Sequence, residues 1–234
     1  MTMTIDILDL ENFYSSRLGQ LAATHLKNAI TRIDTAAGDN LDNIDFGVGF
    51  VSSLVLGAKP ILMPAQQGTV RGVGQNILVD EHLLPFADNQ IGSLLAMHYL
   101  EHSRDADHAL RELWRVLVPE GRLTLIVPNR RGLWSRRDRT PFGVGHPYSR
   151  RQLRRLCQET GFVAVSWTSA LHFLPFWHLG IESVSPFFEK SGRSILPEMA
   201  GALVVVLVKR VPAPITYKRR ALRYAPAMSQ PASV

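Results

Sequence analysis

Residues 84–129 read LPFADNQIGSLLAMHYLEHSRDADHALRELWRVLVPEGRLTLIVPN, and the fold class is decided here. Ala87-Asp88-Asn89 has the composition of a turn, and residues 91 to 97 form an apolar strand. Arg104-Asp105-Ala106-Asp107 places acid at a helix start, and the amphipathic segment that follows ends in Trp114-Arg115-Val116-Leu117. Pro119-Glu120-Gly121 then turns the chain into a second apolar strand, residues 123 to 127. Strand, helix, tight turn and strand are the parts of a right-handed parallel crossover.

Outward from that unit the elements alternate as a doubly wound sheet requires. Phe13, Leu18, Leu21, Leu26, Ile30 and Ile33 recur near the 3.6 period and predict one helix over 11–33. Residues 41–46 read as a short first strand, 51–56 as a helix start, 60–63 as a second strand and 77–79 as a third. A glycine-rich loop, 68–74, lies between the last two. Downstream, Ser149 is a helix N-cap, the helix stops at Gly161, and 162–168 and 201–209 are the last strands. Between those strands lies an insertion, 170–198, holding Phe173, Phe176, Trp177, Phe187 and Phe188, whose prolines argue against one regular helix. The chain therefore divides into an N-terminal helical segment (1–37), an α/β domain (38–211) with insertion 170–198, and a basic tail (212–234) of flexible composition.

The order LPF (84–86), LEH (100–102), L-R-E-x-x-R-V-L (110–117) and P-x-G-R-L (119–123) resembles the second half of class I S-adenosyl-L-methionine (SAM)-dependent methyltransferases of the small-molecule "type 11" group. The resemblance covers roughly residues 40–210, and its motifs are specific after Leu84. It implies a Rossmann-like, doubly wound seven-stranded α/β sheet with an antiparallel last strand, the class I methyltransferase fold, and SAM as cofactor. Upstream, the cofactor motif is degenerate. Asp45, Gly47 and Gly49 keep the family's spacing, which lets backbone approach the cofactor's methionine and ribose, but Val51 stands where a third glycine would. After the second strand, Pro64-Ala65-Gln66-Gln67 brings no carboxylate to the ribose hydroxyls. A charge-assisted bond of about 1.5–3 kcal/mol is thereby missing. Asp80 matches the acid expected near the adenine amine. Asp45, Gly47, Gly49, Asp80 and His98 are thus the cofactor-side candidates. Tyr99, beside His98 at the end of the 91–97 strand, faces the acceptor in this reading. Asn129, Arg130, Arg131, His146 and Tyr148, on the long polar loop after the next strand, are the other acceptor candidates. The arginines suit a carboxylate or phosphate, or else pair with acids elsewhere on the fold.

His98-x-x-Glu101-His102 also spells a zinc-protease pattern. The motif follows an apolar strand directly, so it reads as a turn, and no metal is expected. The net charge of +6 is uneven: nine arginines and one acid, Asp138, fall between residues 130 and 155. Lys209, Arg210, Lys218, Arg219, Arg220 and Arg223 make a second cluster. Such clusters attract phosphates, although a solvated basic surface has the same composition. With the aromatic insertion they suggest a protein partner or an anionic membrane surface. Nucleic acid ranks lower, because Trp134 is the only aromatic inside the arginine run before Phe142. No basic leader, no apolar membrane-length stretch and one cysteine, Cys157, make a cytoplasmic location the simplest reading, with the thiol buried and inert. Two functions follow. One is an active SAM-dependent methyltransferase on a small, anionic or amphipathic acceptor. The other is a methyltransferase-like protein that has lost SAM and serves as a binding or regulatory partner.

Overall fold

Seven strands lie in the order β3-β2-β1-β4-β5-β7-β6. They belong to a computed structural model that describes residues 7–37, 43–50, 55, 59–64, 76–137, 140–175, 181–195 and 197–211. Val51, Ala65, Gln66, Gln67, the 68–74 loop, Asp138, Phe176, Trp177, His178 and the 212–234 tail lie outside the described residues. β1 (Phe46–Val48), β2 (Ile61–Pro64), β3 (Asn76–Val79), β4 (Ile91–Met97) and β5 (Leu117–Pro128) pair in parallel. β7 (Ala202–Lys209) is antiparallel both to β5 and to β6 (Phe162–Ala170). This is the expected doubly wound sheet with its last strand inserted, and the aliphatic run of β7 is buried throughout, as a strand covered on both faces must be.

The side-chain alternation of the strands feeds two cores. Leu95 and Met97 of β4 face α1 (Ile7–Ser15) and α2 (Arg17–Ala37), where Leu10, Tyr14, Leu26 and Ile30 cover them. Leu94 and Ala96 face the opposite layer, with Leu110 and Leu113 of α3 (Ala106–Val116) and Leu153 of α4 (Arg150–Glu159). The helices of the N-terminal segment thus pack on one face of the sheet. Cys157 is buried in α4, and burial pushes its thiol up to about 12, which keeps it protonated and unreactive.

Four elements depart from expectation, each for a local reason. The single N-terminal helix is two, because the Ser16 hydroxyl donates to the Phe13 carbonyl and accepts from the Gly19 N–H, ending α1 and starting α2. The first strand begins at Phe46, after Asp45 has turned its carboxylate elsewhere. Pro119-Glu120-Gly121 is no turn between elements. It lies inside β5, where the pairing jumps from Ile91↔Leu117 to Ser93↔Arg122 and Glu120 takes a φ of 62°. In the insertion, α5 (Ile181–Ile195) contains Pro186, so a helix forms across a proline that composition reads as a breaker.

One ion pair fastens the helical layer to the sheet. The Glu112 carboxylate, almost fully buried, accepts the Leu84 N–H at 2.7 Å and the Nη2 and Nε donors of Arg115 at 2.6 and 2.8 Å. Arg115 also donates to the carbonyls of Leu84 and Phe86 and to Asp88. Burial works to raise the Glu112 carboxyl, but the Arg115 guanidinium and the Leu84 N–H outweigh it and hold the group below its ordinary value. A depressed carboxylate stabilises the fold above its unfolded value of 4.5, and that stabilisation disappears as pH falls through the folded value. Accordingly, Glu112→Gln lowers stability at pH 7 by about 3 kcal/mol and flattens the loss of melting temperature below pH 4.5, read by thermal melts across pH.

Candidate functional site

In a parallel sheet, ligands gather at the carboxyl ends of the strands. At the carboxyl end of β1, Gly49 turns the chain with a φ of 76°. A Cβ there would stand 2.6 Å from the Met97 carbonyl oxygen and 2.7 Å from the Tyr99 Cβ, so only glycine lets β1 end this close to the end of β4. His98, next after β4, is itself left-handed at φ 49°, an uncommon conformation for this residue that packing must hold.

His98 is buried, and both its ring nitrogens are engaged. Nε2 meets the Tyr14 hydroxyl at 2.8 Å and Nδ1 meets Glu101 Oε1 at 3.0 Å. Tyr14, from α1, stacks on Phe50, and Phe142 lies against the imidazole with ring centres 5.0 Å apart. Burial, with Glu101 adding to it, pushes the Tyr14 hydroxyl well above its ordinary range, so it stays a neutral phenol. Glu101 Oε2 and His102 Nε2 are buried without a partner among the described residues. Burial lowers the His102 imidazole, helped by His98 and His146 and opposed by Glu101. The spacing of His98 and Glu101 in one turn was a visible signal for their pairing. Tyr14, Phe50 and Phe142 come from elements far apart in sequence and carried none.

The remaining sequence candidates scatter. Asp45 is at the amino end of the sheet, its carboxylate accepting the Gly92 and Ser93 N–H groups at 2.9 Å, so it does not share the Gly49 turn. Gly47 lies inside β1, paired with Ile61 and Leu95. Asp80 is exposed at the carboxyl end of β3 and caps the His82 N–H at 2.9 Å. Pro64 is buried within β2, opposite Val79, so β2 ends one residue later than the sequence reading had it. Tyr99 belongs to the α3–α4 core, its hydroxyl on the Glu81 carbonyl, rather than to the side on which His98 lies. Asn129 is taken up by the carbonyls of Glu198 and Ala200, and Arg131 pairs with Glu198. His146 and Tyr148 form a strap across the strand ends. The His146 N–H donates to Glu101 O, the Tyr148 N–H to Pro128 O, and the Tyr148 hydroxyl to Leu100 O. Arg130 is exposed, with its N–H on Tyr148 O. The basic loop and the insertion do meet, through the Trp134 Nε1–H bond to Phe173 O at 2.7 Å, but both rings are buried in the core.

The ligand atoms of His98, Glu101 and His102 lie within 4.8 Å of one another, which is the spacing of a metal cluster. A metal on His98 would have to displace Tyr14 or Glu101, since neither nitrogen is open. Metal analysis of protein purified without chelator should therefore find no stoichiometric zinc. Gly49→Ala, which strains the left-handed turn and crowds the Met97 carbonyl, lowers stability by about 1–3 kcal/mol in denaturant titration.

Comparison with known proteins finds likeness over part of the sequence and over the fold. Residues 63–125 match the model of a methyltransferase domain family. No curated protein sequence matches the chain. A SAM-dependent methyltransferase of Thermotoga maritima superposes with a TM-score of 0.59 at 15% identity, over 87% of this chain and 96% of that one. A Haloferax volcanii methyltransferase structure, solved as a complex with the Trm112 activator, superposes at 0.54 and 16% identity, over 89% and 100%.

Proposed function

We propose that the chain is a class I SAM-dependent methyltransferase that transfers a methyl group from SAM to a small anionic or amphipathic acceptor. One observation carries the reading most directly: the Gly49 turn brings the carboxyl end of β1 against that of β4, beside a buried carboxylate with one open oxygen. The donor set suits the cofactor's charge. SAM is a cation, and Glu101 Oε2 and the exposed Asp80 are carboxylates at the carboxyl ends of β4 and β3.

When bound, SAM supplies an electrophilic methyl on a sulfonium, and positioning is what the protein adds. In the proposed arrangement the Gly47–Gly49 backbone cradles the cofactor's methionine end, and Asp80 accepts from its amine-bearing ring. Glu101, bonded to His98 Nδ1, holds the imidazole in place, and Tyr14 with Phe142 excludes water from it. Asp45, tied to the amino end of β4, is dropped from the cofactor set, and Tyr99 from the acceptor set. His146, exposed on the loop after β5, stays as an acceptor-side group, whereas Arg130 lines a basic cavity beside α4. A protein partner or an anionic membrane surface would meet the basic loop and the exposed Phe187 and Phe188 of α5. No helix among the described residues is long and apolar enough to cross a membrane.

Calorimetric titration with SAM and with its demethylated product tests the assignment. Both should bind one site per chain, and Asp80→Asn, at an exposed position, should weaken both about tenfold. An absent isotherm for either ligand, with the fold intact by thermal melting, would refute the reading.

A further inference from the structure

A strongly basic groove runs between α4 and the edge strand β6. Two adjoining cavities, about 580 and 790 Å³, share Ser149 and Arg131. Arg130 and Arg136 line the smaller one, and Arg150, Arg151 and Arg154 the larger. Glu198, paired with Arg131, is the one carboxylate among their lining residues. Arg150 and Arg154 stand one helical turn apart, their guanidiniums 5.1 and 5.7 Å from the centre of the Trp167 ring.

Like charges at this spacing repel. Elsewhere on the helices such cost is offset: Arg155 pairs with Glu159 at 2.7 Å, and Arg111 with Asp107 at 2.6 Å. Among the described residues, Arg150, Arg151 and Arg154 have no carboxylate partner, and what orders two of them is an indole face, which leaves their N–H forks free. The Ser149 capping box also sets the positive end of the α4 dipole at the junction of the cavities. Ordered, unneutralised forks in a cavity of small-molecule size fit phosphate oxygens, which take guanidinium bonds in pairs.

We propose that this groove binds a small phosphate-bearing ligand, with at least two phosphate groups, at a site separate from that of methyl transfer. Trp167 and Leu203 belong to the α3–α4 side of the sheet, whereas Tyr14 and Phe142, which enclose His98, pack on the α1–α2 side. Strands β7 and β6 lie two and three places from β4, or about 10–14 Å at normal strand spacing. The strap through His146 and Tyr148, bonded to Glu101, Leu100 and Pro128, covers the strand ends between them. A phosphate held on Arg150 and Arg154 therefore stands too far from β4 to be the reacting group, and the ligand acts as an effector or an anchor.

Isothermal titration of the full chain with inorganic pyrophosphate and with ADP tests this. One saturable site is expected, weakened at least about tenfold by Arg150→Gln/Arg154→Gln. The same double variant should titrate with SAM as the unmodified chain does. Arg155→Gln, on the same helix but outside the groove, should change phosphate affinity less than about twofold. Trp167→Phe should weaken binding too, with the fold intact by thermal melting, because the guanidiniums lose their better platform. No saturable isotherm with either probe, or equal losses from Arg155→Gln, overturns the proposal. A short oligouridylate that binds at least about tenfold more tightly than ADP, with a steep salt slope, overturns it in favour of RNA. Loss of SAM binding in the double variant overturns the separation of the sites, whereas failure of SAM to bind any form of the protein bears on the methyltransferase reading alone.

Discussion

The Glu112–Arg115 pair is the constraint on which the geometry of the sheet rests. A buried carboxylate is tolerable only when its oxygens are matched, and here the matching groups are an arginine one turn away and the Leu84 N–H. Because Arg115 also grips the Leu84 and Phe86 carbonyls and Asp88, satisfying the charge forces the 84–88 segment onto α3. The backbone then continues the attachment: the Asn89 and Gln90 N–H groups donate to the carbonyls of Arg115 and Val116. β4 therefore enters the sheet at a position set by the helix that follows it. Lys209 at the end of β7 adds a second fastening, donating to Asn89 and to the Leu117 carbonyl while its ammonium lies 3.9 Å from the centre of the Trp114 ring.

With the amino end secured in this way, the other end carries left-handed backbone of its own. Gly49, His98 and Gly145 all have positive φ, and all three lie where β1, β4 and the strap come together. Left-handed backbone at His98 costs free energy that the aromatic enclosure of Tyr14, Phe50 and Phe142 must offset. The same enclosure leaves Glu101 with one unmatched oxygen in the interior. Strain and unmatched polarity thus coincide at the carboxyl ends of β1 and β4.

The basic surface divides on similar grounds. Arg111 and Arg155, each paired with an exposed acid on its own helix, make ordinary surface pairs of little consequence. Arg150 and Arg154 of the α4–β6 groove lie over an aromatic ring instead, where the run of charge lines a shaped cavity.

Much of the fold was legible because its signals are local. The apolar strand 91–97, the amphipathic helix after it, the Ser149 cap and the Gly161 stop all depend on residues within a few positions of one another, and each appears where sequence places it. Pairing order followed too, since alternating strands and helices leave few topologies. What sequence misplaced depends on partners across the molecule. Asp45 fits the cofactor motif by spacing, yet its carboxylate is drawn to two N–H groups of a neighbouring strand. Tyr99 follows His98, but successive residues leaving a strand point to opposite faces, so one borders the site and the other the core. Trp134, the aromatic of the arginine run, is fully buried, while Trp167, more than thirty residues away, receives the arginines. Local pattern determined the elements and their order. Which side chains share a pocket was decided by the packing of α1, the 144–148 strap and β6, because burial and charge pairing act between residues that only the folded chain brings together.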